Sequence, residues 1–272
     1  MSFALITGAS KGIGLSIARE LASRRINLLL VARHEDALRQ ITSELRGKYD
    51  IEVYYFIADL SQEQSAEAVH NWCSINNYSV QYLVNNAGYG LSGKFEAHPL
   101  PDHLRLMHVN MNAVVQLCYL FLPILRRQEK AYILNIASSA AYQAVPYMGV
   151  YAATKAFVLQ FSRALRYELL HSPVSVTCIS PGATESNFNV TAQIGPKGVK
   201  AAQKLQMKAE DVAKIAVESM YKGKTEVITG FVNKLGAFFV WLLPKGSLKK
   251  PLRGFTNSFC VFHSPFPYIC TP

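Results

Sequence analysis

Tyr151 and Lys155 are the residues whose types and spacing most directly suggest chemistry. The chain has fourteen tyrosines, and only Tyr151 is followed by a lysine four positions on. On a helix that spacing puts both side chains on one face, with Cβ atoms roughly 6 Å apart. A phenol of pKa about 10 is a poor acid or base near neutrality. A neighbouring ammonium favours the phenolate, so Lys155 is expected to lower that value. The pair would then give a proton to a carbonyl oxygen, or take one from an alcohol. Ser138 lies thirteen residues earlier, at the end of an apolar run that reads as a strand. Open α/β sheets bind ligands at that end, where the hydroxyl would hold the substrate oxygen and stabilise its charge. Ser139 is the adjacent alternative.

A second constellation stands at the start of the chain. Thr7-Gly8-Ala9-Ser10-Lys11-Gly12-Ile13-Gly14 falls between a strand pattern and a helix pattern. Gly8 allows a tight turn, Gly12 a close approach to a diphosphate, and Gly14 close helix–strand packing. The free N–H groups of the helix start would face the anion. A glycine triplet alone says little, but this placement makes it a dinucleotide turn. The next strand ends Val31-Ala32-Arg33 without the carboxylate that would hold a ribose 2′-hydroxyl. Arg33 and Lys11 instead offer two cations to a 2′-phosphate, which favours NADP(H) over NAD(H).

The spacing Gly-x-x-x-Gly-x-Gly resembles that of the short-chain dehydrogenase/reductase family. The resemblance continues in order through Asp59, Asn85-Asn86-Ala87-Gly88, Tyr151-x-x-x-Lys155 and Pro181-Gly182, covering about residues 3–230. It implies a Rossmann-type doubly wound domain, with a seven-stranded parallel sheet in the order 3-2-1-4-5-6-7. It implies that Ser138, Tyr151 and Lys155 are catalytic, and that Asn110 holds a water linking Lys155 to solvent. For the cofactor it implies that Gly8, Ser10, Lys11, Gly12, Ile13 and Gly14 form the diphosphate turn. Asp59 and Leu60 would border the adenine, and Asn86, Ala87 and Gly88 the adenosine ribose. Lys155 and Tyr151 would reach the nicotinamide ribose, and Thr184, after Pro181 and Gly182, the carboxamide. A homodimer or homotetramer through the long helices near 101–128 and 150–172 is implied as well.

The elements that must position these groups alternate regularly. Phe3–Ile6, Asn27–Ala32, Glu52–Ala58, Gln81–Val84, Ala131–Ala137 and Val174–Ile179 read as buried strands, with a seventh near Thr225–Thr229. Helical patterns cover Gly12–Ser23, Glu35–Lys48, Gln62–Asn76, His103–Arg127, Val150–His171 and Lys208–Tyr221. This rhythm predicts a parallel α/β sheet. Pro173 is expected to stop the helix bearing Tyr151. His103 and His108 are expected at the surface or an interface. Residues 183–208 read as a lid. One domain over 1–250 and a tail over 251–272, of undecided role, complete the plan.

Bulk properties narrow the class. Residues 1–189 carry 16 Lys/Arg against 14 Asp/Glu, and residues 190–272 carry 12 against 4. That basic third suits an anionic surface or substrate, or is a solvated face, while no nucleic-acid-binding signature accompanies it. Five cysteines without a C-x-x-C pair, and scattered histidines, argue against a disulfide framework and a metal centre. They fit a reducing, cytoplasmic setting with peripheral membrane contact left open, and no secretory signal is read at the N-terminus. The substrate region is expected along Tyr89–Lys94 and Ala140–Met148. Tyr142, Val145, Tyr147 and Met148 there suit a small-molecule carbonyl or alcohol with a hydrophobic body, or are packing residues. Phe231–Leu243 reads as a pocket cap, a subunit contact or a membrane-surface segment, with packing or a lid favoured over membrane contact. A cofactor-sensing module that has lost catalysis would show a broken Tyr/Lys/Ser set, and here it is intact.

Overall fold

The first strand shows why the sheet must be covered on both faces. β1 (Ser2–Thr7) sends Phe3 and Leu5 into one core and Ala4 and Ile6 into another, as the two-residue period of extended chain requires. β2 (Asn27–Ala32) repeats this, with Leu29 and Val31 on one side and Leu28 and Leu30 on the other. The computed structural model describes residues 2–185, 192 and 206–242. Five further strands are β3 (Val53–Ile57), β4 (Ser79–Asn85), β5 (Ala131–Ile136), β6 (Val174–Ser180) and β7 (Glu226–Ile228). All seven are parallel, in the order β3-β2-β1-β4-β5-β6-β7.

Three helices cover one face, α1 (Gly12–Ser23), α2 (Glu35–Tyr49) and α7 (Ala209–Tyr221), burying Ile17, Leu38 and Val217. The other face takes α3 (Ser65–Ile75), α5 (Ala113–Leu125) and α6 (Gly149–Glu168), burying Val69, Phe121 and Leu159. α4 (Leu100–Met107) precedes α5, and α8 (Phe231–Leu242) comes after β7. Helix ends reflect local chemistry. α2 has Glu35 and Asp36 in its first turn and Arg46 and Lys48 in its last, matching its dipole, and stops at left-handed Asp50. Because β1 lies between β2 and β4, the strand order reverses there and opens a crevice beyond the strand ends.

A buried polar ladder ties the sheet to the helix bearing the phenol. Asn85 Nδ2 donates to Asn135 Oδ1 at 2.9 Å, and Asn135 Nδ2 donates to Ser162 Oγ at 2.9 Å. In a low-dielectric core these bonds favour one register of β4, β5 and α6 over its alternatives.

Three expectations are corrected. The stretch His103–Arg127 is not one regular helix: a π-helical turn at His108–Asn112 separates α4 from α5. One extra residue in a turn rotates α5 relative to α4, and Asn110 inside that turn is fully buried. His103 is buried rather than on the surface, with Nε2 3.0 Å from the Phe95 carbonyl and its ring stacked on Phe95. α6 ends at Glu168, before Pro173 is reached. The 183–208 stretch lies mostly outside the described residues, and the 251–272 tail wholly so.

Candidate active site

The turns after β1 and β4 are built as one unit. Thr7 Oγ1 donates to the Val84 carbonyl at 3.2 Å and accepts from the Asn86 and Ala87 amides at 3.0 and 3.1 Å. Asn86 Nδ2 donates to the carbonyls of Thr7 and Gly8 at 2.9 and 3.2 Å. Gly8 has φ +65°, and a Cβ there would lie 2.8 Å from Asn86 Nδ2. A Cβ on Gly14 would lie 2.4 Å from the Gly8 carbonyl oxygen. The expected result of Gly14→Ala is therefore a displaced turn and a lower Tm. An overpacking strain of about 2 kcal/mol corresponds to a fall of roughly 4–8 °C; calorimetry of parent and variant measures it.

Lys11, the N-cap of α1, is extended and its side chain makes no cap hydrogen bond. The helix start therefore offers its first N–H groups to an anion. Lys11 and Arg33 are both exposed. Arg33 and Asp59 both act electrostatically on the half-buried Tyr89, whose phenol burial pushes up; the ends of β2, β3 and β4 thus share one rim. Asp59 Oδ1 accepts from the Ser61 amide at 3.0 Å. Leu60 puts its side chain into the core, so it presents backbone rather than side chain to that rim. The Pro181 carbonyl accepts from the Ser139 amide at 2.7 Å, joining the ends of β5 and β6. Thr184 forms a parallel bridge with Met207, and its hydroxyl donates to the Gly182 carbonyl at 3.1 Å.

Ser138, Tyr151, Lys155 and Asn110 meet at the same crevice. Ser138 Oγ accepts from the Ala140 amide at 3.1 Å, and the Ser138 and Tyr151 side chains are hydrogen-bonded. Lys155 Nζ lies 5.9 Å from the Tyr151 ring centroid and donates to the Ile136 carbonyl at 2.9 Å. Asn110 Nδ2 donates to the Tyr89 carbonyl and to Thr154 Oγ1, each at 3.0 Å, while Oδ1 accepts from the Tyr89 amide at 3.1 Å. The bare Gly88 gives Asn110 Oδ1 and Lys155 Nζ their room: a Cβ there would lie 3.0 and 3.2 Å from them.

The electrostatics correct the expected direction for Tyr151. Burial pushes its phenol up to about 12, and the Ser138 hydrogen bond acts the other way without prevailing. Burial also pulls the Lys155 ammonium down to about 8, with the Cys178 sulfur opposing. Desolvation disfavours whichever form is charged, so the phenol rises while the ammonium falls. Near neutrality the protein alone therefore holds a neutral phenol beside a cationic amine.

In the segments expected to line a substrate, the Gly93 amide donates to the Tyr147 carbonyl and the Ser92 amide to that of Ala192, each at 2.9 Å. The segments expected to line the pocket are thus brought together, with Tyr147 in the left-handed region at φ 64°. Tyr142 is turned away from them. Its hydroxyl reaches Ser180 Oγ at 3.2 Å and the Glu226 carboxylate, so it packs and bonds within the fold. Two contributors were missed in the sequence. Thr154 anchors Asn110 and sits inside the Tyr-x-x-x-Lys stretch, where its position was the available signal. Asn233 of α8 packs so closely on Gly182 that a Cβ there would lie 2.0 Å from its Nδ2; that contact is remote in sequence and gave no signal. Among the described residues no cluster of three potential metal ligands occurs.

The short chain dehydrogenase family profile matches residues 2–196. The chain is 28% identical over 261 residues to a very-long-chain 3-oxoacyl-CoA reductase of Rattus norvegicus, covering 94% of this chain and 80% of that protein. It is 32% identical over 195 residues to an NADP-dependent 3-hydroxy acid dehydrogenase of Schizosaccharomyces pombe, covering 71% and 75%. A solved short-chain dehydrogenase from Sphingobium yanoikuyae in complex with NADPH superimposes with a TM-score of 0.79 at 27% identity, covering 99% of this chain and 100% of that one.

Proposed function

The chain belongs to the short chain dehydrogenase family, and on that premise we propose that it is an NADP(H)-dependent oxidoreductase interconverting a hydrophobic ketone or aldehyde with its alcohol. The observation that carries this reading is the meeting of Ser138, Tyr151, Lys155 and Asn110 at the crevice that begins with the glycine turn. The residues present fit a dinucleotide. The turn from Gly8 to Gly14 would hold its diphosphate, Lys11 and Arg33 a 2′-phosphate, and Asp59 with Leu60 the adenine. Asn86, Ala87 and Gly88 would border the adenosine ribose, and Pro181, Gly182 and Thr184 the nicotinamide end. When bound, NADPH supplies the hydride for reduction, and NADP accepts it in oxidation.

The chain's own residues manage the proton. Ser138 holds the substrate oxygen through its hydroxyl. Tyr151 gives its phenolic proton to that oxygen in reduction and takes one from the alcohol in oxidation. Lys155, cationic and close, stabilises the phenolate left behind and would hold the nicotinamide ribose of a bound dinucleotide. Asn110, fixed by Tyr89 and Thr154, keeps the space beside Lys155 polar and would seat the water that returns the proton.

The pH dependence has a definite sign. Reduction needs a neutral Tyr151, present below about 12, and a charged Lys155, present below about 8. The kcat/KM for reduction is therefore expected to be level near neutrality and to fall as pH rises through about 8. A rate that climbs through that window would mean that Lys155 acts uncharged.

Exposed Leu100, Leu104 and Tyr119 along α4 and α5, with Phe157 and Tyr167 on α6, support a homodimer or homotetramer through these helices. Free, buried Cys73, Cys118 and Cys178 suit a reducing cytoplasm. The testing experiment is a panel of ketones and alcohols monitored by nicotinamide absorbance with each cofactor. Turnover of hydrophobic members with NADPH supports the reading, and no turnover of any member with either cofactor contradicts it.

A further inference from the structure

α8 carries five large apolar residues on the outside. Asn233, Ala237 and Val240 turn towards the protein and are partly covered, whereas Phe231 is 78% exposed, Leu242 56%, Phe238 52%, Val232 49% and Phe239 43%. At 100° per residue, Phe231, Phe238 and Leu242 fall in one stripe, with Val232 and Phe239 on one flank and exposed Lys234 on the other. A helix that only covers a core presents the reverse arrangement. A contiguous outward patch of this kind marks an interaction surface.

The charge beside the patch identifies what it fits. A hollow of about 190 Å³ at the N-terminal end of α8 is lined by Lys222, Lys224, Lys234, Thr229 and Glu218. Lys222 lies 3.9 Å from Glu218; among the described residues Lys224 and Lys234 form no ion pair. The sequence continues past α8 with Lys245, Lys249, Lys250 and Arg253. We propose that α8, with Lys222, Lys224 and Lys234 beside it, is a docking surface for an anionic phospholipid bilayer. The helix lies in the interface plane with its aromatic stripe among the acyl chains and its lysines at the headgroups. A second copy fits less well, because a two-fold contact on this face would set lysine against lysine. The inner face of α8 packs on the turn after Ser138 and on Gly182, so the docked surface lies one helix thickness from the crevice.

The test is co-sedimentation of the full chain with vesicles of phosphatidylcholine alone and of phosphatidylcholine with phosphatidylserine. The expected result is binding to the anionic vesicles about tenfold or more tighter than to the neutral ones, weakening with salt. Phe231→Glu/Phe238→Glu is expected to lower it at least about tenfold, and Lys222→Ala/Lys224→Ala/Lys234→Ala to abolish the preference for phosphatidylserine. Circular dichroism shows that each variant is folded, and the salt dependence of the parent stands on its own should either fail to fold. The proposal is overturned if the parent stays in the supernatant with anionic vesicles, or if the folded phenylalanine variant binds as the parent does. It is equally overturned if the parent ignores vesicles and that variant turns a dimer into a monomer on size exclusion.

Discussion

Tyr151→Phe is expected to bind NADPH as the parent does and to lose about a thousandfold in kcat for ketone reduction. The ring stays in its place, since the side chain is buried and only the hydroxyl is removed. What disappears is the proton donor at the substrate oxygen, together with its bond to Ser138. General acid catalysis by a positioned side chain contributes about 10²–10⁴-fold, and a thousandfold corresponds to about 4 kcal/mol of barrier. The split between unchanged NADPH affinity and collapsed turnover separates loss of the acid from loss of the site. Fluorescence titration with NADPH and steady-state absorbance measure the two halves. A variant retaining a tenth of the parent rate would remove Tyr151 from the proton's path.

The second large effect is a change of cofactor. Arg33→Asp is expected to shift the ratio of kcat/KM with NADPH to that with NADH by about a hundredfold towards NADH. Arg33 stands exposed just past β2, where a carboxylate would hold a ribose hydroxyl. The nearest acid in sequence, Glu35, is occupied by Arg39 Nη2 at 2.8 Å and by the Tyr55 hydroxyl. Removing a charge-assisted bond to phosphate costs about 1.5–3 kcal/mol. The new carboxylate adds repulsion for the phosphate and an acceptor for the free hydroxyl. Parent kinetics equal for both cofactors would show that Arg33 and Lys11 do not select the phosphate.

Much of the fold was legible because short signals coincide with elements. Asn27–Ala32 and Gly12–Ser23 match their expected limits, since each is bounded by turn chemistry and carries a clean apolar period. The strand ends that bring Ser138 and Gly8 to one crevice are a consequence of the βα alternation alone. The features that could not be read depend on three dimensions. A π turn inserts its extra residue without disturbing the apolar pattern, so the 103–127 stretch looked continuous and the burial of Asn110 had no marker. His103 is covered by the loop holding Phe95, a contact that periodicity does not encode. The i, i+4 spacing gave the Tyr151–Lys155 pair but not their depth, and depth decides that desolvation outweighs the Ser138 hydrogen bond at Tyr151 and the Cys178 sulfur at Lys155. Tyr142 and Tyr147 read alike in sequence, yet one points into the Glu226 network and the other stands beside Gly93.

The reading depends most on hydride reaching a carbonyl carbon while Tyr151 protonates its oxygen. The direct measurement uses NADPH deuterated at its transferable nicotinamide position, incubated with cyclohexanone, acetophenone and benzophenone, with products analysed by mass spectrometry. The predicted result is a single deuterium on the carbinol carbon of at least one alcohol, formed one-for-one with NADP and lost with Tyr151→Phe. NADPH bound to the protein with no deuterated alcohol formed from any of the three, or alcohol formed equally by Tyr151→Phe, would contradict it.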